Sequence, residues 1–412
     1  MKLLNKSIFV IALLFSTIVL AQETRLLRQP TMHGNNVAFA YGGDIWTTNL
    51  TNNITTRLTS TSAVESTPHF SPNGKWIAFT SNRSGSSSVY IVSVNGGEAK
   101  RLTWHTSGNV ARGWTNDGKN VLFASNRDAA PSRFDRLYTV SVNGGPATKL
   151  MEQMATSGAY SPNGKQLIFD RVSRWDVEWR DYRGGQNTPL IIVDLKTLNE
   201  TLLPNNKTTD RHPIWLNDMV YFVSDRTHTA NVWSYNTKTK AVKQVTKFKG
   251  TAVKSLSGYK STLVFEQDGY IHTLNLKNNR SKRLKISIKG DFPWTATKWE
   301  NVNSRVDFAS ISPNGKRVVM ASRGDIFTTP VEFGDSRNIT QTSGVADRAP
   351  IWSPKGNKIA WFSDANGKNY ALHITNQDGT AKTEIISIGI SKMAWEPTWS
   401  PDGKHIAFVD DD

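Results

Sequence analysis

Cysteine is absent from all 412 residues, which removes disulfides, thiolate metal sites and a cysteine nucleophile from consideration in any compartment. Charge blocks are missing too: no stretch holds five like charges in a row, and basic residues are not interleaved with aromatics as in a nucleic-acid groove. The single long apolar run, Ile8 to Leu20, falls short of the ~20 residues that cross a hydrocarbon core. No Gly-x-Ser-x-Gly elbow, His-Glu-x-x-His pair or Walker loop occurs. These gaps leave the chain without a recognisable catalytic or nucleotide-binding motif of its own.

What is present begins with a leader. Lys2 and Lys6 precede the apolar run, and Val19-Leu20-Ala21 supplies small side chains where a signal peptidase cuts. Residues 1–21 read as a signal peptide, so the protein is expected to be exported, periplasmic or secreted. Without Lys2 and Lys6 the chain keeps 48 basic against 34 acidic residues, about +14. With no basic cluster to concentrate it, this charge reads as an alkaline surface, and neither nucleic acid nor membrane is expected as a partner.

One phrase dominates the rest. "FSPNGKWIAFTSNR" at Phe70 returns as "WTNDGKNVLFASNR" at Trp114, "YSPNGKQLIFDR" at Tyr160, "SPNGKRVVMASR" at Ser312, "WSPKGNKIAWFSD" at Trp352 and "WSPDGKHIAFVDD" at Trp399. Weaker copies start near Thr31, Pro213 and Ser261. Within Ser-Pro-Asn-Gly, Pro fixes φ near −65°, Asn bonds the turn and Gly takes positive φ, so each copy is a hairpin turn followed by a short apolar strand. A second run, as at Val89 to Val94, and an Asn95-Gly96-Gly97 turn complete four strands per repeat. Repeats of roughly 40 to 45 residues built this way are propeller blades.

The fold expected is therefore all-β: a six-bladed β-propeller over residues 24–285, a linker over 286–305, and an incomplete second propeller, expected to be seven-bladed, over 306–412. The linker is marked by "ISIKGDFPWTATKWENVNSR", which carries no blade signature. The second ring reaches only two and a half blades, which suggests part of a longer protein.

Two segments carry a more specific resemblance. "SNRDAAPSRFDRLYTVSVNGGPATKL" from Ser125 and "RWDVEWRDYRGGQNTPLIIVDLKT" from Arg174 resemble the first propeller of the Tricorn protease family, where an Arg-rich hairpin leads into "LYTV" and a Trp-Arg-x-Tyr-Arg-Gly-Gly insertion interrupts the fourth blade. Trp179, Arg180, Tyr182, Arg183, Gly184 and Gly185 match that insertion. The resemblance implies a serine peptidase whose catalytic residues, together with a PDZ-like module, lie in a C-terminal half beyond this chain. It also implies peptide or unfolded polypeptide partners, a homo-oligomer, no cofactor and no metal. Basic residues of the first propeller would hold the substrate's C-terminal carboxylate, since a guanidinium grips a carboxylate through two parallel hydrogen bonds. By motif position these are Arg133 and Arg136, with Arg127 beside them.

Other readings stay open. The three arginines would serve structure alone if they paired with Asp128 and Asp135 in a solvated loop. Trp175, Trp179 and Tyr182 either line a peptide channel or pack the insertion on the neighbouring blade. The eight histidines read as ordinary blade residues, and "SDANGKN" at Ser363 as a hairpin loop and not a calcium loop. For the whole chain, the alternatives are a TolB-like periplasmic propeller acting as a protein-binding module, or a prolyl-oligopeptidase relative; some members of the Tricorn family are cytosolic.

Overall fold

The computed structural model describes residues 23–128, 134–171, 183–184, 187, 189–290, 292, 299–342, 344–366, 369–389 and 394–410. It divides into two compact units that part between Gly290 and Asp291. Among the described residues there is no helix long and apolar enough to cross a membrane, and every sheet is an antiparallel meander of sequence-consecutive strands. Unit 1 holds six four-stranded sheets, and unit 2 holds two four-stranded sheets and one two-stranded sheet.

The turn phrase explains itself at atomic detail. Gly74 sits at φ +70°, its N–H donates to Ser71 O at 2.9 Å, and the Ser71 hydroxyl donates to Asn73 Oδ1 at 2.7 Å while accepting from Trp76 N at 3.0 Å. The same bonds recur around Ser161 and Ser312. Each turn thereby satisfies the backbone groups that a hairpin bend would otherwise strand.

After the turn comes the most buried strand of each sheet. Phe39, Phe79, Phe123, Phe169, Phe222 and Phe265 occupy one register position in the second strands of unit 1 and are wholly buried. These strands read as continuous apolar runs because a neighbouring sheet covers each face. Ile77 and Phe79 pack with Ala38, Ala40 and Ile45 of the first sheet, while Ala78 between them packs with Trp114, Val121 and Phe123 of the third.

The first strands of unit 1 are Arg28–His33, Glu65–Phe70, Asn109–Trp114, Ser157–Tyr160, Asp210–Leu216 and Val253–Tyr259. Each contacts the next, and the last contacts the first. Among the described residues no strand is exchanged between the ends, and polar ties add to the contact of these two strands: Thr24 N donates to Ile286 O at 2.9 Å, Leu27 N to Gly269 O at 3.1 Å, and Arg28 pairs with Glu266 at 2.8 Å.

Five of these six first strands are bulged, and Ser157–Tyr160 pairs without a shift. Pairing shifts between Arg28 and Thr31, Ser66 and His69, and Arg211 and Ile214. Within these bulges Gln29, Thr67 and His212 adopt φ of +50 to +52°, each directly before a proline. A bulge leaves backbone N–H groups outside the ladder, and the preceding sheet accepts them: Glu266 from Gln29 at 3.2 Å, the Gln29 side chain from Thr67 at 2.7 Å, and Asp170 from His212 at 3.1 Å.

In unit 2 the Trp352 indole donates to Ser310 O at 3.1 Å, as Trp114 does to His69 O at 2.9 Å in unit 1. Adjacent sheets in both units are thus tied through the aromatic residue that precedes the turn.

Candidate functional site

Five of the six first strands of unit 1 surround a cavity of about 240 Å³, whose polar lining includes His69, Arg112, Ser157, His212 and Ser257. Bulges help to place them. Pairing in the third sheet skips from Ala111 to Gly113, so Arg112 is the extra residue, and a bulge re-aims the residue it leaves unpaired. His212 lies with Pro213 in the bulge of the fifth sheet, where pairing skips from Arg211 to Ile214.

Electrostatics follow from burial. Desolvation, with Arg112 nearby, lowers the His69 imidazole to about 4. Desolvation again, then Arg211, lowers His212 to about 3, with Arg112 and His69 adding to the fall and Asp170 opposing it. Both rings are neutral at pH 7 with one N–H donor each, and that of His69 is bonded to the Ala111 backbone. The Arg112 guanidinium is shifted down by burial and supported by Asp170 and Asp135. Its Nε is buried without a hydrogen-bond partner.

Asp170 gives Arg112 charge while its lone pairs are engaged elsewhere. It accepts from the Thr156 hydroxyl, from Ser157 N at 3.0 Å, from Ser157 Oγ at 2.5 Å and from His212 N at 3.1 Å. Asp135 is a weaker counterion, because burial raises its carboxyl more than Arg112 lowers it.

A second cavity of about 300 Å³ shares Asn116, Tyr160, Trp215 and Leu216 with the first and is rimmed by Pro72, Pro162 and Lys260 at the turns. Phe70, Trp114, Tyr160 and Trp215 hold one register position in four consecutive sheets. Burial, with Asp117 near, pushes the Tyr160 phenol up to about 12. Among the described residues no three His, Asp or Glu side chains are grouped to hold a metal ion.

Of the residues singled out in the sequence, Arg133 lies outside the described residues, as do Trp175, Trp179, Arg180, Tyr182 and Gly185. Arg127 is held by its own sheet: Nη2 donates to Asn109 Oδ1, Nε to Ser125 Oγ at 3.2 Å, and the guanidinium lies over Phe123 and Tyr138 at 5.1 and 5.2 Å. Arg83 repeats this with Glu65, Ser81, Phe79 and Tyr90, and Arg226 with Asp210, Ser224, Phe222 and Trp233. Arg136 donates through Nε to Glu152 O at 2.9 Å, and its Nη1 is buried without a partner. Of the loop's acids, Asp128 acts on Arg127, whereas Asp135 faces Arg112. Arg183 pairs with Asp225, directly after the second strand of the fifth sheet, at 3.1 Å and donates to its carbonyl at 3.0 Å.

His69, His212 and Arg112 went unnoticed as a group in the sequence. One signal was present: where the bulged strands carry Pro30, Pro68, Pro213, Pro350 and Pro397, the third sheet carries Arg112. A cation in a column of prolines marks a side chain aimed at the ring interior.

Fold and cavity together define a β-propeller with a cationic interior. Residues 24–280 match the Tricorn protease N-terminal beta propeller domain, and the chain belongs to that family. It is 28% identical over 406 residues to Tricorn protease homolog 1 of Streptomyces coelicolor, covering 94% of this chain and 37% of that protein. It is 25% identical over 382 residues to the Tricorn protease homolog of Saccharolobus solfataricus, covering 92% of this chain and 34% of that one. The crystal structure of the tricorn protease superposes with a TM-score of 0.60 at 19% identity, over 93% of this chain and 37% of that chain. The chain thus spans about a third of the length of the curated relatives it matches.

Proposed function

We propose that the chain is the N-terminal propeller portion of an exported Tricorn-type serine peptidase, guiding and holding peptides for a catalytic half that follows a PDZ-like module. The observation that carries this reading is the family match over residues 24–280 in a chain that covers about a third of protease relatives. Arg133 and Arg136 hold the substrate's terminal carboxylate. Arg136 supports the assignment because its buried Nη1 keeps a donor that Glu152 does not use. Arg127 is their neighbour in this role, its own guanidinium held by Asn109 and Ser125. The leader at residues 1–21 directs export, and the assembled peptidase is a homo-oligomer.

The test starts with the coding frame beyond codon 412. Continuation into a serine peptidase half is expected, and the protein so encoded should cleave peptides with a free C-terminal carboxylate. Arg133→Ala and Arg136→Ala should then raise KM by about tenfold for such peptides and leave amidated ones unchanged, the loss of one charge-assisted contact. A stop codon with no peptidase subunit co-purifying overturns the peptidase reading. Equal KM for acid and amide substrates in the unmodified enzyme overturns the holding role. Recovery of the protein with Met1 intact overturns export by a cleaved leader.

A further inference from the structure

Arg112 is the arginine that lines the cavity. Arg28, Arg57, Arg83, Arg183 and Arg226 are each paired with a carboxylate at 3.1 Å or closer. Arg112 instead enters the cavity with its Nε buried and unbonded, and an unmade hydrogen bond on a buried charged donor is costly. The acid that supports it, Asp170, spends its lone pairs on Thr156, Ser157 and His212.

Around it stand donors: the hydroxyls of Ser157 and Ser257 and the imidazoles of His69 and His212 line the same space. Ser157 Oγ is bound to Asp170, whereas Ser257 makes only a long contact with Thr31 at 3.4 Å. Arg211 is buried beside His212 and adds positive charge. The cavity is large enough for a carboxylate or phosphate group and its flanking atoms.

We propose that this cavity is a binding site for a small oxyanion, a carboxylate or phosphate group, with Arg112 as its anchoring cation. The planar fork of Arg112 meets two oxygens, Ser257 Oγ and a ring N–H supply further donors, and Trp114, Tyr160 and Trp215 flank them. The site is built from first strands, and Asp135, next to Arg136 in the chain, is one of the acids that support Arg112, but the proposal does not depend on the peptide-holding role. Only the peptide arm of its test rests on that role.

Titration calorimetry on the full chain tests it, with inorganic phosphate and N-acetyl-tetra-alanine as free acid and as amide. Phosphate and the peptide acid should bind, and the amide about tenfold more weakly. Arg112→Gln should weaken both oxyanions by about tenfold or more, and Arg112→Lys, which keeps charge without the fork, by less. If R112Q fails to fold, a several-fold loss in R112K carries the same conclusion. Phosphate sensitive to Arg112 with no binding of the peptide acid supports the oxyanion site and counts against the peptide-holding reading. Peptide affinity that falls in Arg136→Gln and not in R112Q, with phosphate likewise indifferent to Arg112, overturns the site. So does the absence of binding by either oxyanion in the unmodified chain.

Discussion

The ring of Pro313 lies 3.3 Å from the point where a β-carbon on Gly356 would stand, and Gly356 itself is at φ +69°. Pro72 holds the same relation to Gly118 at 3.5 Å, and Pro354 to Gly403 at 3.7 Å. The repeated phrase is therefore a pair of complementary surfaces as well as a turn. Its proline is read by the glycine of the next sheet, and that glycine is needed twice, for its backbone angle and for the space.

Two substitutions separate these needs. Gly315 has φ +70° with nothing near its missing side chain, whereas Gly356 has the proline ring. Gly315→Ala should cost about 1 kcal/mol, the strain of a left-handed alanine. Gly356→Ala should cost about 2 kcal/mol, because a packed proline must also shift. Urea denaturation of both variants checks this, and equal midpoints would refute the role of the neighbouring ring.

How much of this was legible beforehand depends on the period of the signal. The turn phrase repeats within a sheet-length, and its residues act on their own hairpin, so Ser71, Asn73 and Gly74 could be read from the sequence. The cavity could not, because His69, Arg112 and His212 come from three sheets, each at or beside a bulge. A bulge changes which face a residue takes without changing composition. Arg127 illustrates the converse: the Arg-rich loop drew attention to it, yet only comparison with Arg83 and Arg226 shows a guanidinium gripped by its own sheet.

Asn109 gives a sharper trial of that grip. Arg83 and Arg226 meet carboxylates, Glu65 and Asp210, whereas Arg127 meets an amide. Asn109→Asp would supply the missing charge. The amide is nevertheless required, since its Nδ2 donates to Ser107 O at 2.7 Å and Ser87 O at 3.1 Å, and a carboxylate there would face two carbonyls. N109D should destabilise by about 2 kcal/mol despite the added ion pair, measured as a lower urea midpoint. A higher midpoint would mean that Arg127 governs the site.

The half-buried histidines of the cavity set an acid limit. Unfolded imidazoles protonate near 6.5, but folded His69 does so at about 4 and His212 at about 3. Between these values the unfolded chain binds more protons, so stability is full above pH 6.5 and falls as pH drops. The loss is about 2 kcal/mol per histidine by pH 5. Asp135 acts oppositely, because its raised carboxyl favours the folded state when protonated. His69→Gln and His212→Gln should each flatten the fall in denaturation midpoint between pH 7 and 5. An unchanged slope in both would place these rings in contact with water.

Closure of unit 1 concentrates on Glu266. Its side chain is 3% exposed where it pairs with Arg28, and it also accepts from Gln29 N in the bulge at 3.2 Å. Among the described residues the sheets exchange no strand, and this acid with the bonds of Thr24 and Leu27 reinforces the contact of the first and last strands. Glu266→Ala strips a counterion and strands a bulge N–H, a cost of about 3 kcal/mol. The cost should be local: amide exchange should quicken first in Arg28–His33 and Val253–Tyr259, the strands that face each other at the seam, and leave Asn109–Trp114 protected. Uniform quickening across all six first strands would show instead that the ring opens only as a whole, with the seam no weaker than any other contact between sheets.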